Sequence, residues 1–376
     1  MIKKNTLLIF LFFTISNIFA TNIDKLNLPR GFEITIYANE LALPRQIAES
    51  KNGYVFVGSK VQKSDNGKIY ALIDKDKDGY AEEKIIVAED LDYPTGVSIH
   101  NGNLYFSELD KIWVIEDIES WLDSKSTYLP ERKLVTDNLP SETWHGYKYI
   151  DFGPDDNIYV SVGAPCNICT EPQKKDNRLG AIHRFSNGKL TTIAQGVRNS
   201  VGFDWSPSNK KLYFTDNGRD WLGDDSPSCE LNVVNEEGSF YGFPYKHAKN
   251  IIDPEFGALI PTIKKDFVDP IAELGPHVAP LGMVFYDNKK FPQKYVNSIF
   301  IALHGSWNRT KKSGYKIIFV KLDEEGNYMY QEDFITGWLV NENAWGRPVS
   351  PFIMSDGSML ISDDKSNVIY RVTYSG

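Results

Sequence analysis

Long apolar runs and clusters of basic residues are both missing from this sequence. After the first twenty residues, no stretch approaches the roughly 18 apolar residues that a membrane-spanning helix needs. Lysine and arginine are scattered along a chain whose net charge is −9, which argues against nucleic acid or anionic lipid as a partner. Helix signals are also sparse. The sequence therefore predicts a β-rich protein that is not inserted in a membrane and binds no nucleic acid.

Cysteine is scarce as well, with three residues in the whole chain. Cys166 and Cys169 form a C-x-x-C motif, and the third is Cys229. A haem attachment site would need histidine after the second cysteine, where Thr170 stands, and a zinc site would need a second cysteine pair. We expect instead a local disulfide between Cys166 and Cys169, or a pairing of one of them with Cys229.

The first twenty residues have the pattern of a secretory signal peptide. The basic start Lys3-Lys4 precedes an apolar segment from Leu7 to Ile15, and Ala20 ends a stretch suited to cleavage. Residues 1–20 are therefore predicted to be removed on export. We expect residues 21–376 to form one folded domain in the periplasm or outside the cell.

Six copies of a short pattern organise the rest of the chain. In each copy a β-type run closes on a Gly- or Asp-bearing turn and is followed by a second run. Units of this kind are typical of a β-propeller, because each blade must bury its faces against its neighbours. The sequence predicts an all-β fold, a six-bladed β-propeller of four-stranded antiparallel blades. The runs expected to be innermost are centred on Val55, Leu104, Ile158, Leu212, Ile299 and Met359.

Two segments fall outside the regular spacing. The copies are furthest apart between Leu212 and Ile299, which marks an insertion, and propellers carry functional loops in such insertions. The segment from Asn22 to Ile36 is expected either to begin the first blade or to pair with the last strand. The second arrangement would close the ring and protect its edges.

Polar clusters precede several inner runs and do not fit a buried strand. In a propeller, residues that enter the innermost strands meet at one end of the central channel. We expect these histidines and arginines to share a cationic pocket there, because the planar arginine fork suits carboxylates. Alternatively, each arginine pairs with an aspartate of the next blade and each histidine satisfies a turn. The set comprises His145, Arg198, Asn199, His277 and Arg347, with His304 and Arg309 nearby.

The same segments resemble the glucose/sorbosone dehydrogenase family, most closely its sorbosone dehydrogenase-like branch. Members are soluble six-bladed propellers that use pyrroloquinoline quinone (PQQ). The resemblance covers nearly all of residues 21–376 and implies PQQ and Ca²⁺ as cofactors. The motifs that carry it are His145 to Gly163, Gly196 to Asn199, Asp216 to Asp225, His304 to Arg309 and Gly346 to Val349.

The resemblance also implies roles for single residues. His145 is similar to the catalytic histidine that removes a hydroxyl proton while hydride passes to the quinone, and a base with pKa near 6.5 suits that task. Arg198 and Asn199 match the pair that binds the quinone edge and carboxylates, and Arg347 matches another carboxylate-binding arginine. Calcium would bridge the cofactor and the Gly218-Arg219 backbone carbonyls, and would polarise the reactive carbonyl.

Some positions depart from the family pattern. Ala164 replaces the aspartate that orients the histidine in glucose-oxidising members, so we expect Asn167 to take over that task or the rate to fall. A family threonine, lysine and arginine fall, in that order, at His277, at or beside His304, and at Val349. The remaining cofactor-binding candidates are His277, His304 and Arg309.

Two acidic segments could bind calcium, although solvated turn carboxylates would look the same. The segment from Asp74 to Gly79 resembles the start of a calcium loop, but its twelfth position is Ile85 in place of glutamate. We predict a polar hairpin turn there, with a weak calcium site through Glu82 or Glu83 as the alternative. The other segment offers Asp220, Asp224, Asp225 and Glu230 as ligands of a second calcium.

We therefore expect an exported dehydrogenase that oxidises an aldose, a sorbosone-like aldehyde or a related sugar and passes electrons to an external quinone or cytochrome. A calcium-dependent lactonase on the same fold is one alternative, and it would place carboxylates and amides around the channel. A non-catalytic binding module is another. It would present an aromatic patch outside the channel, for which Trp221 and Trp307 are candidates.

Overall fold

The computed structural model describes residues 22–376 of the chain. The predicted signal peptide, residues 1–20, lies outside the described residues. Strands dominate, helices are few, and the strands form six blades of four antiparallel strands around a central channel. The all-β, six-bladed propeller predicted from the repeat is confirmed.

Consecutive strands build each blade outwards, and the first strands of neighbouring blades contact one another around the channel. From the channel outwards, blade 1 comprises Pro44–Glu49, Val55–Ser59, Gly67–Ile73 and Glu83–Leu91; blade 2 comprises Val97–His100, Asn103–Ser107, Ile112–Ile115 and Lys133–Thr136; blade 3 comprises Ile150–Phe152, Ile158–Val162, Ala181–Ser186 and Lys189–Gln195. Blade 4 comprises Phe203–Trp205, Leu212–Asp216, Ser228–Val233 and Ala272–Pro276; blade 5 comprises Pro280–Tyr286, Ser298–Leu303, Lys316–Leu322 and Tyr328–Ile335; blade 6 comprises Pro348–Ile353, Met359–Asp363, Val368–Tyr374 and Phe32–Ala38.

The six runs expected to be innermost are the second strands of the blades, so that part of the prediction is wrong. A second strand has a strand on each side and a neighbouring sheet on each face. Its side chains are therefore mostly buried, and all of them are in Val55–Ser59 and Met359–Asp363. Such a strand reads as an apolar run. The first strand faces the channel and carries polar residues such as Gln46. Its sequence therefore does not show the apolar run by which a strand is recognised.

The N-terminal segment closes the last blade. Phe32–Ala38 pairs antiparallel with Val368–Tyr374, and Ile34 lies opposite Val372. Of the two arrangements considered for the segment from Asn22 to Ile36, the structure shows pairing with the last strand. The ring is therefore closed by backbone hydrogen bonds between two distant parts of the chain.

Apolar side chains are buried between neighbouring blades. Between blades 5 and 6, the rings of Phe300 and Phe334 pack in one cluster with Trp338, which has no exposed surface. Phe56 and Phe106 belong to a similar cluster between blades 1 and 2. The core is thus a series of interfaces around the ring, and each blade depends on both of its neighbours.

One long excursion leaves blade 4 between its third and fourth strands, inside the insertion expected between Leu212 and Ile299. It contains the ribbon Lys246–His247 with Ile251–Ile252, the 3-10 helix Gly257–Thr262, and Ser239–Phe240, which adds in parallel to blade 3. The other elements are the α-helices Ile118–Asp123 and Glu171–Lys175, the 3-10 helices Ile23–Lys25, Lys63–Asp65 and Gln293–Tyr295, and the ribbon Leu339–Val340 with Asn343–Ala344. Across residues 22–376, none of the helices has the length and apolar character needed to cross a bilayer.

The antiparallel order decides which loops meet. In every blade the first strand starts, and the second strand ends, at the same end of the channel. Loops before the first strands and after the second strands therefore converge there, and we call this the site end. Turns between first and second strands, such as the one from Ser50 to Gly53, lie at the opposite end.

Truncation of one aromatic side chain tests the core between blades 5 and 6. Phe300 has no exposed surface, and its ring centroid lies 4.7 Å from that of Phe334. We expect Phe300→Ala to lower the free energy of unfolding by about 3–5 kcal/mol because it leaves a cavity. Met329, 55% exposed in the same blade, is the control, and Met329→Ala should change stability by less than about 0.5 kcal/mol. Equal urea denaturation curves for the two variants would contradict this account.

Candidate active site

A cavity of about 330 Å³ opens at the site end of the channel. Its walls come from loops that precede first strands and loops that follow second strands, as the antiparallel order requires. The structure therefore brings together residues that are far apart in the sequence. The predicted site residues that line the cavity are His145, Arg198, Asn199, Gly218, Asp220, His277, His304 and Arg347.

Close packing holds the backbone of His145. Its φ of 53° lies in the left-handed region, which residues other than glycine rarely adopt. Gly163 makes room for it, since a Cβ on Gly163 would lie 2.5 Å from the His145 Cβ. The buried Lys148 ammonium donates to the Gly146 carbonyl at 2.7 Å and holds the same loop. His145 is thus kept in a strained conformation by its surroundings, as residues of functional sites often are.

The His145 imidazole has one tautomer. Its Nδ1 lies 2.7 Å from the Ala164 carbonyl oxygen, and because a carbonyl only accepts, Nδ1 carries the proton. Nε2 therefore keeps its lone pair and can accept a proton from a ligand. Burial lowers the pKa of His145 to about 3, and the neighbouring Arg198 adds to the shift. The ring is neutral at ordinary pH.

A backbone carbonyl therefore orients the histidine where the family has an aspartate. The expectation that Asn167 takes over this task is wrong, because its side chain has other partners. The Asn167 Oδ1 accepts from Arg198 Nη2 at 2.9 Å and from the Asp220 amide at 2.8 Å. The main-chain carbonyl of Ala164 thus replaces the missing side-chain carboxylate as the hydrogen-bond acceptor of His145.

Asn167 lies in a loop that a disulfide closes. Cys166 and Cys169 are bonded to each other, and Cys229 is buried and free. Of the two pairings considered from the sequence, the structure has the local one. The four-residue loop presents both the carbonyl and the side chain of Asn167 to the arginine beside it.

Arg198 and Asn199 are anchored through their backbone. The Asp216 carboxylate accepts from the amide of Arg198 at 2.8 Å and from that of Asn199 at 2.7 Å. The Arg198 guanidinium also donates to the Asn217 carbonyl at 3.1 Å. Arg198 is buried, which lowers its pKa, and it pairs with Asp220 at 3.2 Å. Both residues are held in place before any ligand arrives.

His304 and Arg347 stand on another part of the wall. The His304 Nδ1 donates to the Pro348 carbonyl at 3.1 Å, and its Nε2 lies 3.5 Å from Asp364. Burial lowers the pKa of His304 to about 3, whereas Asp364 acts in the opposite direction. The Arg347 guanidinium donates to the carbonyls of His304 and Gly305 at 3.0 and 2.6 Å. The Arg347 amide donates to Asp363 at 2.9 Å. These partners are mostly carbonyls, which leave the positive charge of Arg347 uncancelled.

Two cations outside the predicted set complete the cavity wall. Arg45 pairs with Asp364 at 2.9 Å and lies 5.2 Å from the centroid of the Tyr147 ring. Lys60 lies 5.4 Å from the same centroid and 4.0 Å from Asp364. Arg45 stands at the start of a first strand, Pro44–Glu49. The reasoning that identified the other arginines, by their position where the chain enters a first strand, therefore also applies to Arg45. Lys60 follows a second strand, and only the antiparallel order points to it.

The floor of the cavity is apolar. Val201 and Leu281 line it, and Val349, which matches the family's second arginine, packs against them in one buried cluster. No charge is therefore present at Val349. Arg45 and Lys60 supply positive charge from a different blade.

Arg309 belongs to the rim and does not line the cavity, contrary to its expected role as a cofactor-binding residue. Its guanidinium donates to the Asp224 carbonyl at 2.9 Å and pairs with Asp225 at 2.7 Å. These two contacts hold the Arg309 guanidinium at the rim, away from the cavity. His277 does line the cavity, and its Nε2 donates to the Gly223 carbonyl at 2.8 Å.

The loop expected to hold calcium through its carbonyls passes along the wall. Gly218 lines the cavity. The Arg219 side chain points away from it, into the excursion of blade 4, and pairs there with Asp253 and Glu255. Gly218 is thus the better placed of the two carbonyl candidates.

The four carboxylates proposed for a second calcium do not form one site. Glu230 lies in the third strand of blade 4, opposite Asp216, because the strand continues through that position and carries it into the sheet. Burial raises the pKa of Glu230, and the adjacent Asp216 raises it further. The carboxylates of the other three have separate partners: Asp220 pairs with Arg198 in the cavity, Asp224 accepts from the Thr310 amide, and Asp225 pairs with Arg309 at the rim.

Carboxylates do meet in blade 1, at the end opposite the cavity. The segment from Asp74 to Gly79 lies in the turn between the third and fourth strands, as the hairpin prediction requires. Potential ligand atoms lie within 4.8 Å of one another in this turn, and Asp74 Oδ1 is buried without a hydrogen-bond partner. The four residues are Asp74, Asp76, Asp78 and Glu82.

Comparison with known proteins places the chain in a family. A family model described as "Domain of unknown function (DUF7133)" matches residues 20–371. The chain belongs to this family. A relative from Borreliella burgdorferi, described as an uncharacterized protein, is 36% identical over 365 residues, which cover 93% of this chain and 91% of the relative.

Solved structures share the propeller of this DUF7133 member. A Trichoderma reesei structure from Carbohydrate-Active Enzymes Family AA12 has a TM-score of 0.77 at 21% identity and covers 93% of this chain and 98% of that one. The holo form of the pyranose dehydrogenase PQQ domain from Coprinopsis cinerea has a TM-score of 0.74 at 19% identity, with coverages of 93% and 97%. Other neighbours include the PQQ-bound form of an aldose sugar dehydrogenase from Streptomyces coelicolor and a soluble aldose sugar dehydrogenase from Escherichia coli. The resemblance seen in the sequence is confirmed. At these identities it shows a common fold.

The cavity of the DUF7133 protein suits PQQ, a planar molecule with several carboxylates. Arg45, Lys60, Arg198 and Arg347 line it, and among the described lining residues Asp220 is the one carboxylate. Burial lowers the pKa of Lys60, Arg198 and Arg347. A poorly solvated cation gains free energy when an anion replaces its lost water. The residues present therefore fit an anionic cofactor of this kind.

Removing the Asn167 side chain tests how the arginine wall is held. In Asn167→Ala the Asp220 amide loses its acceptor, so we expect this amide to exchange with deuterium about tenfold faster or more. Hydrogen exchange by mass spectrometry checks this. The control is Asn327→Ala, at a hairpin turn of blade 5, where the Asn327 side chain donates to Asp323 at 3.0 Å. Unchanged exchange around Asp220 in Asn167→Ala would contradict the role given to Asn167.

Proposed function

We propose that this chain is an exported quinoprotein dehydrogenase. Its substrate would be an aldose, a sorbosone-like aldehyde or a related sugar, oxidised by hydride transfer to PQQ, with electrons passing on to an external quinone or cytochrome. The fold, which matches that of PQQ-dependent sugar dehydrogenases, supports the reaction class. The secretory pattern of residues 1–20 supports export.

The state of His145 is the observation that carries the proposal. A neutral imidazole with a free Nε2 beside a cavity can take the hydroxyl proton of a substrate. The Ala164 carbonyl and the contact with Gly163 set the direction of that transfer in advance. The imidazolium that results is destabilised by burial and by Arg198. The low pKa makes His145 a weaker base than the value near 6.5 expected from the sequence, and lets it release the proton readily after each turnover.

The cationic wall would bind and orient the cofactor. Arg198 and Asn199 would hold one side, and Arg347, with Arg45 and Lys60, would hold the carboxylates. When bound, PQQ supplies the hydride acceptor and Ca²⁺ supplies a Lewis acid beside it. The Gly218 carbonyl and other oxygens of the 218–220 loop are our candidates for the calcium ligands, because calcium accepts oxygen donors in irregular geometry.

The lining residues give less support to the two alternatives. A calcium-dependent lactonase needs several carboxylates and amides around its cation. Within residues 22–376, Asp220 is the one carboxylate lining this cavity, and it pairs with Arg198. The aromatic patch expected of a non-catalytic binding module is present, since Trp221 and Trp307 are exposed. It borders the cavity, however, and such a module has no need of a strained histidine with a free nitrogen there.

Removal of the histidine tests the proposed base. Wild-type apoprotein titrated with PQQ and calcium should shift the cofactor absorbance and reduce a dye with at least one sugar of a panel. His145→Ala should lower kcat by about 10²–10⁴-fold and leave PQQ affinity within about threefold.

The pH dependence of turnover tests the same base. Because the pKa of His145 is about 3, the imidazole stays neutral when the pH is lowered from 7 to 5. Protonation of His145 should therefore cause no decrease of kcat/KM over this range. Wild type that neither binds PQQ nor reduces the dye would overturn the function.

Lys60 tests the cationic wall independently of turnover. The Lys60 ammonium lies 4.0 Å from Asp364, which already pairs with Arg45. Because Lys60→Met removes this weakly paired cation, we expect PQQ to bind about tenfold more weakly, equal to about 1.4 kcal/mol. Lys51→Met is the control, because Lys51 is exposed at the opposite end of the same hairpin of blade 1. Fluorescence or absorbance titration of both apoprotein variants checks this. Equal PQQ affinity in the two variants would exclude Lys60 from the binding site.

A further inference from the structure

Exposed tryptophan is confined to the surroundings of the cavity. Of the eight tryptophans in the chain, three are exposed: Trp144, Trp221 and Trp307, with 52%, 66% and 64% of their surface accessible. Trp144 precedes His145, and Trp307 lines the cavity. Leaving an indole in water costs hydrophobic free energy, so such a group beside a cavity marks a surface that binds a ligand.

Trp221 and Trp307 form a corner at the rim, which we call the tryptophan corner. Their ring centroids are 5.6 Å apart and their planes meet at 85°, an edge-to-face contact that leaves ring faces open to solvent. Trp221 has a φ of 71°, a left-handed conformation that is costly for a bulky residue. Packing within the fold does not account for a strained residue whose ring is mostly in water.

Hydrogen bonds hold the corner in place without a ligand. The Arg309 guanidinium donates to the Asp224 carbonyl at 2.9 Å and so joins the two loops that carry the indoles. The His277 Nε2 donates to the Gly223 carbonyl at 2.8 Å and ties the same rim to the cavity wall. A rigid aromatic surface binds its ligand with little loss of conformational entropy.

We propose that the tryptophan corner is a sugar-binding subsite outside the cavity, which stacks on the second ring of an oligosaccharide whose reducing end reacts at His145. This inference rests on the proposed function. The apolar C–H face of a sugar ring matches an indole face, and its hydroxyl edge matches the exposed Asp225 carboxylate. At about 330 Å³ the cavity is at the small end for ligand sites. A second ring attached to a sugar that reacts at His145 would extend towards the rim, where Trp307 lines the cavity.

The size of the corner favours a sugar over a protein electron acceptor. Two partly exposed indoles offer on the order of 300 Å² of surface. A stable protein interface buries about 800 Å² on each partner. The corner is therefore much smaller than a stable protein interface needs.

The kinetic test compares a short sugar with a longer one. Trp221→Ala and Trp307→Ala are assayed, loaded with PQQ and calcium, on the monosaccharide that wild type oxidises best and on a disaccharide with that sugar at its reducing end. We expect KM for the disaccharide to rise about three- to tenfold in both variants. In Trp221→Ala, kcat and both monosaccharide constants should stay within about twofold, because Trp221 does not line the cavity, whereas Trp307 does. Tyr128→Ala is the control, since Tyr128 is 82% exposed and does not line the cavity.

Tryptophan fluorescence supplies a readout without turnover. Disaccharide added to protein without PQQ should quench the wild-type emission, and Trp221→Ala should lose that quench. Equal kinetic losses on both sugars in Trp221→Ala would overturn the subsite, and so would a rise in KM confined to the electron acceptor. Wild type that oxidises no sugar would instead overturn the proposed function. In that case a quench that depends on Trp221 would still support the subsite, and its absence would overturn it.

Discussion

The antiparallel order of the strands is the constraint on which this site depends. Each first strand starts and each second strand ends at the site end, so backbone hydrogen bonding alone decides that loops from all six blades meet there. Lys60 and Arg347 share a cavity wall for that reason, although most of the chain lies between them. The pairing of Phe32–Ala38 with Val368–Tyr374 keeps the ring closed. The shape of the site therefore also depends on strands at the outer edge of the molecule.

Main-chain carbonyls accept several of the hydrogen bonds that the charged side chains of the cavity donate. Arg198 donates to the Asn217 carbonyl, and Arg347 donates to the carbonyls of His304 and Gly305. A carbonyl satisfies a donor without cancelling its charge. Arg198 and Arg45 also pair with Asp220 and Asp364, so among the guanidinium groups that line the cavity the charge of Arg347 is the one left without a carboxylate partner for an anion to bind. At the base the same device fixes the tautomer of His145 and, unlike a carboxylate, adds no full negative charge to raise its pKa. The site thus combines a neutral base with cationic walls.

The errors in the sequence-based site have one physical origin. Arg309 and Glu230 stand in segments that look suited to the site. Arg309 forms a salt bridge with Asp225 at the rim. Strand register places Glu230 inside the sheet, opposite Asp216. The concern over Ala164 has the same source, because a side-chain comparison does not detect a backbone acceptor. In each case the deciding partner belongs to the main chain or to a residue distant in sequence.

By itself, the sequence determined the six blades and the polar residues that enter the channel, because strand periodicity and turn chemistry are local properties that repeat along the chain. The tertiary structure decided which strands are innermost, that Lys60 joins the wall, and that a carbonyl holds His145 in its basic tautomer. These outcomes depend on packing between blades and on hydrogen-bond partners that come together only when the ring closes. Residue types can suggest such partners, but distance and burial select them.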